Sequence, residues 1–170
     1  MKKYIISILT VTFSFALFKD SYGQELKTEI FAEANMTEDQ PIVAGTKIIY
    51  PIKGGTITGK INGTFLPIGA DFETLIMPTT FKLDVRGIIQ TVDSATVYVT
   101  FTGYIYSDTE TFKLLSSDKA KEVSPDKYYY RVSPIFETTS PNYDWLNHTI
   151  AIGIGTVTEN GVSYKIYAVK

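Results

Sequence analysis

The sequence predicts an all-β fold, a closed or nearly closed antiparallel barrel of about eight or more strands with one short helix. Aromatic residues make up 14% of the chain, with 12 Tyr and 10 Phe, and such side chains favour strands. Several segments also alternate between apolar and polar residues with the two-residue period of a strand. Closure into a barrel would leave no long sheet edge exposed to other chains.

Three segments carry this alternation, at residues 80–91, 96–106 and 146–154. Their apolar faces consist of Phe81, Leu83, Val85 and Ile89 in the first, Val97, Val99, Phe101 and Ile105 in the second, and Leu146, Ile150, Ile152 and Ile154 in the third. In the third segment, Trp145 and Asn147 share the opposite face with small residues. That combination suits a cavity with an aromatic wall, although a lone tryptophan more often fills a core.

Glycines and a dipeptide mark the turns. The glycines of the first half suit barrel corners, where strands bend or bulge: Gly54, Gly55, Gly59, Gly63 and Gly69. Asn160-Gly161 lies between two alternating runs and predicts a two-residue hairpin. The helix is predicted over residues 109–121, with Pro125 beyond its end.

The first 23 of the 170 residues read as a signal peptide, which leaves a single barrel domain over residues 24–170. Lys2 and Lys3 precede an apolar stretch, residues 5–18, that is short for a membrane span. Cleavage is predicted after Gly23, so the mature protein would be secreted or periplasmic and free of the membrane. An uncleaved membrane anchor is the competing interpretation.

Composition narrows the classes of function. A net charge of −2 offers no attraction to nucleic acid. The chain has no cysteine, which excludes disulfides and a thiol nucleophile. His148 is the only histidine, too few for a multi-histidine metal site, and no phosphate loop, zinc spacing or calcium loop occurs. The sequence therefore predicts no metal and no cofactor.

The stretch from 131 to 147 holds the densest set of candidate site residues: Arg131, Glu137, Trp145 and Asn147. Arg131 and Glu137 share strand parity, but Pro134 is expected to interrupt the strand between them. They form either a structural ion pair or an arginine that binds a ligand oxygen beside an acid or base. Asn147 would read the polar end of a ligand.

Further candidates lie outside that stretch. Asp71 follows Gly69-Ala70 and either caps a turn or places a carboxylate at the barrel mouth as ligand anchor or base. Asp84 and Arg86 share one strand face and can pair with each other. Tyr98 belongs to a set of tyrosines that could stack on a ligand, or that simply cover an amphipathic barrel.

The chain resembles the domain-of-unknown-function 3237 family of small β-barrel proteins. The resemblance runs from about Gly45 to the C-terminus, through matching motifs at residues 51–55, 66–71, 83–86, 93, 128–131, 134–138 and 143–147. It implies a barrel with an internal cavity and favours a luminal position for Asp84 and Arg86. Phe72 stands where the family tends to have Trp, and Ser94 where it usually has Gly. The resemblance brings no settled activity.

Two functions follow as hypotheses. The first is an exported barrel that binds a small, partly apolar molecule in its lumen, with Arg86, Arg131, Trp145 and Asn147 at the polar end of the ligand. The alternative is a cofactor-free isomerase, cyclase or lyase that uses Asp71 or Glu137 as general acid or base. A weaker third hypothesis is a homo-oligomer assembled through the barrel exterior.

Overall fold

The structure, a computed structural model, describes residues 25–170 and contains nine β-strands. The predicted signal peptide lies outside the described residues. The strands are β1 (Thr28–Glu38), β2 (Ile42–Ala44), β3 (Lys47–Gly59), β4 (Gly63–Met77), β5 (Thr80–Thr91), β6 (Thr96–Ser107), β7 (Tyr128–Glu137), β8 (Ala151–Thr158) and β9 (Gly161–Val169).

The strands close into a barrel, which confirms the predicted fold class. Their order in the sheet is β1-β9-β8-β7-β6-β5-β4-β3-β2, and every pairing is antiparallel. A further pairing between β1 and β3 closes an eight-stranded ring. The short β2 pairs with β3 alone and stands outside the ring.

Two of the three alternating segments form the predicted strands. In β5 the side chains of Leu83, Val85 and Ile89 are buried, and β6 buries its predicted apolar face in the same way. For the third segment, the predicted start of the strand is wrong. Residues 141–148 form a 3₁₀ helix (Pro141–His148), with proline at its start, and the strand begins only at Ala151.

The parity of β8 is consequently the reverse of the prediction. Ala151, Gly153 and Gly155 face the interior, while Ile150 and Ile152 are exposed. A Cβ added to Gly155 would lie 2.6 Å from the Tyr130 ring, and one added to Gly153 would lie 2.6 Å from Val132 Cγ2. The small residues therefore accommodate large neighbours on β7, so the space they leave is already filled.

Two glycines show why the barrel corners need this residue. Gly55 has φ of +143°, and a Cβ there would lie 2.1 Å from the carbonyl oxygen of Asn35. Gly69 has φ of +105°, and its Cβ would lie 2.0 Å from the carbonyl oxygen of Arg86. Both residues end register shifts, between Pro51 and Gly55 and between Phe65 and Gly69. The predicted role of glycine at bends and bulges is confirmed at these positions.

The predicted helix is shorter than expected. α1 spans Thr109–Leu115, and Asp108 caps it by accepting hydrogen bonds of 2.9 Å from the backbone N–H groups of Glu110 and Thr111. The Ser117 hydroxyl donates to the carbonyl of Leu114 at 2.7 Å, which gives the backbone an alternative to a further helical turn. Two 3₁₀ helices follow, Ala120–Glu122 and Pro125–Lys127. No helix in residues 25–170 has the length and apolar character to cross a membrane.

The hairpin near the C-terminus is confirmed with its turn one residue earlier than expected. Thr158 pairs with Gly161, so Glu159 and Asn160 form the turn and Gly161 opens β9. A Cβ at Gly161 would lie 2.3 Å from the Met36 carbonyl oxygen. The glycine is therefore needed for close contact with β1 as well as for the turn.

One end of the barrel, here called the apolar end, is closed by the Pro141–His148 helix. Leu146 of that helix is 1% exposed, and the Trp145 ring packs edge-to-face on Phe31 at 5.6 Å. Phe31 also contacts Phe136, with ring centroids 5.9 Å apart, and Ile61 is fully buried close to the β3–β4 turn. These side chains fill this end without any buried charge.

Candidate functional site

The opposite end, here called the acidic end, carries three carboxyl groups on the inner strand faces: Glu38, Asp71 and Glu73. In β1 the buried face runs through Ala32, Ala34 and Met36, so the same parity turns Glu38 inward. In β4, Asp71 and Glu73 stand two residues apart after the bulge at Gly69. The pairing of β3 with β4 brings Tyr50 opposite Asp71.

These carboxyl groups have little to compensate their burial. Asp71 is 2% exposed and Glu73 is 9% exposed. Glu38 Oε1 and Asp71 Oδ1 are buried and have no hydrogen-bond partner. No lysine or arginine of the described chain is buried, so no cation is available inside the barrel to neutralise them. An ionised carboxylate in such a place is strongly destabilising.

Burial accordingly raises the pKa of all three groups. The pKa of Asp71 rises to about 7 through burial, opposed in part by a hydrogen bond with the backbone of Asp84. Burial, with the charge of Asp71, raises the pKa of Glu38 to about 8. Burial, with the charges of Asp71 and Glu38, raises the pKa of Glu73 to about 9. The cluster therefore holds protons near neutral pH.

Tyrosine hydroxyls share this region. The Tyr130 and Tyr164 oxygens are 2.6 Å apart in a buried hydrogen bond, and the rings meet edge-to-face at 5.6 Å. Burial raises the pKa of both hydroxyls, and Asp71 and Glu38 contribute to both shifts. Burial, followed by the charge of Glu73, raises the pKa of Tyr50 to about 12. The acidic end therefore contains neutral phenols beside protonated carboxyl groups.

α1 and the 3₁₀ helices after it lie over this end of the barrel. Phe112 of α1 stacks on Phe81 of β5 with ring centroids 4.9 Å apart, and Leu115 and Val123 pack against the core. A surface groove of about 610 Å³ runs between α1 and the two 3₁₀ helices, lined by residues that include Thr111, Leu114 and Val123. This segment is the cover of the acidic end.

Such an arrangement can donate hydrogen bonds and exchange protons, but it does not form a metal site. A protonated carboxyl group has one O–H donor and retains acceptor capacity. Within residues 25–170, no three acidic or histidine side chains are grouped so that they could hold a metal ion. The chemistry that this end offers is that of neutral acids and phenols in an apolar enclosure.

A family model described as "Protein of unknown function (DUF3237)" matches residues 25–169, nearly all of the described chain. The chain belongs to this family. The UPF0311 protein RPA1785 of Rhodopseudomonas palustris is 34% identical over 120 residues, which cover 70% of this chain and 77% of that protein. The resemblance seen in the sequence motifs is confirmed.

Solved structures of similar proteins have the same fold. The crystal structure of RPA1785, a conserved protein of unknown function, aligns with a TM-score of 0.80 at 30% identity, covering 87% of this chain and 99% of that one. A beta-barrel like protein from Acinetobacter baumannii gives 0.76 at 31% identity, over 88% and 99%. An enzyme from Penicillium herquei gives 0.62 at 22% identity, over 88% and 98%, a likeness that shows the fold alone.

The charged residues of the DUF3237 motif on β5 lie outside the lumen, contrary to the expectation for Asp84 and Arg86. Both side chains are on the outer face, and Arg86 Nε donates to Asp84 Oδ1 at 3.3 Å. The side chains are 57% exposed for Arg86 and 40% exposed for Asp84. The interior positions of β5 belong to Leu83 and Val85, because strand alternation leaves the motif's charges outside.

The charged motif residues of β7, Arg131 and Glu137, also lie on the outer face. β7 continues unbroken through Pro134. Its pairing with β8 covers only Arg131 and Val132, so no partner strand on that side needs the N–H group that proline lacks. Arg131 places its guanidinium 5.1 Å from the centre of the Tyr129 ring and donates to the Tyr130 carbonyl at 2.9 Å. Glu137 is exposed at the end of the strand, opposite the exposed Tyr98. Neither the predicted Arg131–Glu137 ion pair nor a luminal site for these residues is formed.

Trp145, Asn147 and the neighbouring His148 make contacts away from the acidic end. Trp145 packs against Phe31 at the apolar end, which is the core role weighed against a pocket wall. Asn147 is exposed, accepts from the Thr138 N–H and donates to the Thr138 carbonyl, both at 2.9 Å, so it holds the loop after β7. His148 is exposed, with Nε2 3.5 Å from Asp144 Oδ2. Asn147 therefore does not face the lumen, and Trp145 packs on the core at the apolar end, away from the acidic end.

Of the predicted site residues, the structure places only Asp71 inside the barrel, and it adds Glu38, Glu73, Tyr130 and Tyr164. A pattern in the sequence could have found two of the four. Glu38 continues the apolar alternation of β1, and Glu73 stands at the same parity as Asp71. An acidic residue that continues a buried strand face is unusual and indicates a site.

Proposed function

We propose that this protein binds a small, partly apolar molecule at the acidic end of its lumen, with Glu38, Asp71 and Glu73 around the polar part of the ligand. The observation that carries the proposal is that Glu38 Oε1 and Asp71 Oδ1 are buried without a hydrogen-bond partner. Buried polar atoms are satisfied in the great majority of native structures, so two in one cluster indicate a group that binds there.

The charge of the site constrains the ligand. Because no lysine or arginine is buried in the described chain, an anionic ligand would meet only acidic groups and phenols. Below the raised pKa values of about 7 to 9 the carboxyl groups are neutral donors, and they suit a neutral ligand with hydrogen-bond acceptors.

The test is ligand retention in the native host. The mature protein is purified and examined by native mass spectrometry for a small molecule that co-purifies. We expect an adduct with the wild type and its loss in Asp71→Leu, which keeps the volume but removes both oxygens. Asp84→Leu on the outer face is the matched control and should keep the adduct. Equal retention in both variants, or no binding of any neutral compound to the purified protein, would overturn the proposal.

A second candidate function is cofactor-free acid–base catalysis on the bound molecule, as an isomerase, cyclase or lyase. It is favoured by pKa values of about 7 for Asp71 and 8 for Glu38, which suit proton transfer at neutral pH. Asp71→Asn keeps a hydrogen-bonding side chain but cannot transfer the proton. In D₂O, catalysis predicts deuterium in the retained ligand with the wild type and not with Asp71→Asn. Retention by both without deuterium would leave binding alone.

We further propose that the protein is exported and cleaved after Gly23. The support is the leader of residues 1–23, with Lys2 and Lys3 before an apolar stretch. Intact mass measurement on protein from the native host should give a chain that begins at Gln24 and is found outside the cytoplasm. A full-length chain in the membrane fraction would contradict cleavage.

A further inference from the structure

The buried tyrosine pair has an unused donor. In the hydrogen bond between Tyr130 and Tyr164 one hydroxyl donates to the other at 2.6 Å, and either can be the donor. The accepting hydroxyl keeps its own hydrogen, and neither hydroxyl makes another hydrogen bond with residues 25–170. Both side chains are less than 2% exposed. An O–H donor at this depth normally has an acceptor.

A second unused donor lies in the same region. Asp71 is 2% exposed and its Oδ1 has no partner, and its charge would act on the pKa of both tyrosine hydroxyls. With its proton, the carboxyl group is a donor like the phenol. The unused phenol hydrogen and the unpartnered Asp71 Oδ1 are thus two buried donors on inner strand faces. A single carbonyl oxygen has two lone pairs and can accept from two donors.

We infer that the Tyr130–Tyr164 pair and Asp71 together bind a carbonyl oxygen, so that the ligand is a neutral carbonyl compound such as a ketone, ester or lactone. The inference rests on the proposed luminal site and names the chemical class of its ligand. Carboxylates are excluded from this class, because the described interior has no cation to pair with them. Hydrocarbons are disfavoured because they would leave both donors unsatisfied.

Two probes of equal size separate this inference from the proposed function. Acetophenone has the carbonyl oxygen, and ethylbenzene has the same shape without it. Binding of each to the mature protein is measured by ligand-observed NMR at pH 6, and the carbonyl stretch of ¹³C-labelled acetophenone is measured by infrared difference spectroscopy. We expect acetophenone to bind at least about tenfold more tightly, since a site built around donors rejects a ligand that lacks the acceptor. Its carbonyl stretch should move to lower frequency on binding.

The variants Tyr130→Phe and Tyr164→Phe keep the rings and remove one hydroxyl each. Each should reduce the preference for acetophenone and move the carbonyl stretch toward its value in an apolar solvent, because each disrupts the tyrosine donor while Asp71 remains. Tyr104→Phe, at an exposed tyrosine of β6, is the matched control and should change neither readout. Thermal unfolding of each variant checks that it is folded. If one interior variant does not fold, the other still tests the inference.

The outcomes are distinct. Equal binding of both probes, or a carbonyl stretch unaffected by both interior variants, overturns the carbonyl inference and leaves the luminal site in place. Binding of neither probe removes the support for the luminal site and the inference together. A preference for acetophenone that falls when either hydroxyl is removed supports both.

Discussion

The two ends of the barrel are built from the same strands but bury different kinds of side chain. At the apolar end, Leu146, Trp145 and Phe31 close the interior with apolar side chains that carry no charge. At the acidic end, Asp71 and Glu73 are nearly as deeply buried and have carboxyl oxygens that do need one. Burial at the first end stabilises the fold, while burial at the second lowers its stability whenever the groups ionise.

This difference separates structural from functional burial within one molecule. Natural proteins keep uncompensated polar groups in an interior mainly where those groups act on a ligand. The outer face gives a third environment, in which Asp84 and Arg86 pair in solvent. Substitutions in the three environments should therefore differ in size and in their dependence on pH.

The largest loss of stability is expected from Leu146→Ala at the apolar end. Removing a side chain that is 1% exposed leaves a cavity and should cost about 2 to 5 kcal/mol of unfolding free energy. Ile150→Ala, at a residue that is 70% exposed, is the control and should change it by less than about 0.5 kcal/mol. Urea denaturation measures both. A small effect of Leu146→Ala would show that the apolar end is not closely packed.

Gly155→Ala should cost about 1 to 3 kcal/mol by overpacking. The added methyl group would lie 2.6 Å from the Tyr130 ring, which must move and strain its hydrogen bond with Tyr164. Thermal unfolding measures the loss, and carbonyl-probe binding should weaken in parallel. If stability falls and probe binding is unchanged, the tyrosine pair is not part of the site.

At the acidic end the expected effect depends on pH. The raised pKa values mean that the folded chain keeps protons on these three groups that the unfolded chain loses near pH 4. Their contribution to the free energy of unfolding is therefore fully present below about pH 4 and falls as pH rises. The loss is complete above the highest value, about 9 for Glu73. Each group contributes a slope of up to about 1.4 kcal/mol per pH unit.

The variant Glu73→Gln tests this linkage. It removes one titrating group, so the fall in unfolding free energy between pH 5 and pH 9 should be shallower than in the wild type by up to one group's slope. Glu137→Gln, at an exposed residue on the outer face, is the control and should leave the slope unchanged. Parallel pH profiles for the wild type and Glu73→Gln would refute the prediction.

The smallest effect is expected on the outer face. Asp84→Asn breaks an ion pair whose side chains are 40% and 57% exposed, and it should cost less than about 1 kcal/mol. The loss should shrink further in high salt, because exposed charges are screened. Denaturation at low and high ionic strength checks both points. A loss above about 2 kcal/mol would mean that this pair is structurally essential.

Much of the fold could be predicted from side-chain alternation. The buried faces of β5 and β6 follow from it directly. The glycines of the first half also indicated the bulges, because glycine readily adopts the positive φ angles found there. The Pro141–His148 helix could not be foreseen in this way, since Leu146 lies in a 3₁₀ turn and still supplies a buried side chain. Periodicity cannot distinguish such a residue from the first residue of a strand.

The site was harder to predict, because alternation identifies two faces of a strand without saying which one is inside. Asp84 and Arg86 alternate cleanly with Leu83 and Val85, and the structure places the charges outside. Asp71 has the same strand parity as Phe65, whose side chain is buried, so alternation groups the two residues without showing that their face is the inner one. The Tyr130–Tyr164 contact joins residues 34 positions apart, so it depends on the closed barrel.

The central claim is that burial raises the pKa values of all three carboxyl groups at the acidic end, so that Glu38 and Glu73 stay protonated at neutral pH and Asp71 titrates close to it. Side-chain carboxyl ¹³C chemical shifts, followed from pH 3 to pH 10 and assigned with Glu38→Gln, Asp71→Asn and Glu73→Gln, measure this directly. We expect three carboxyl resonances to titrate at about 7 for Asp71, about 8 for Glu38 and about 9 for Glu73. Titration of all three near pH 4 would show ionised, solvated carboxylates and would contradict the account.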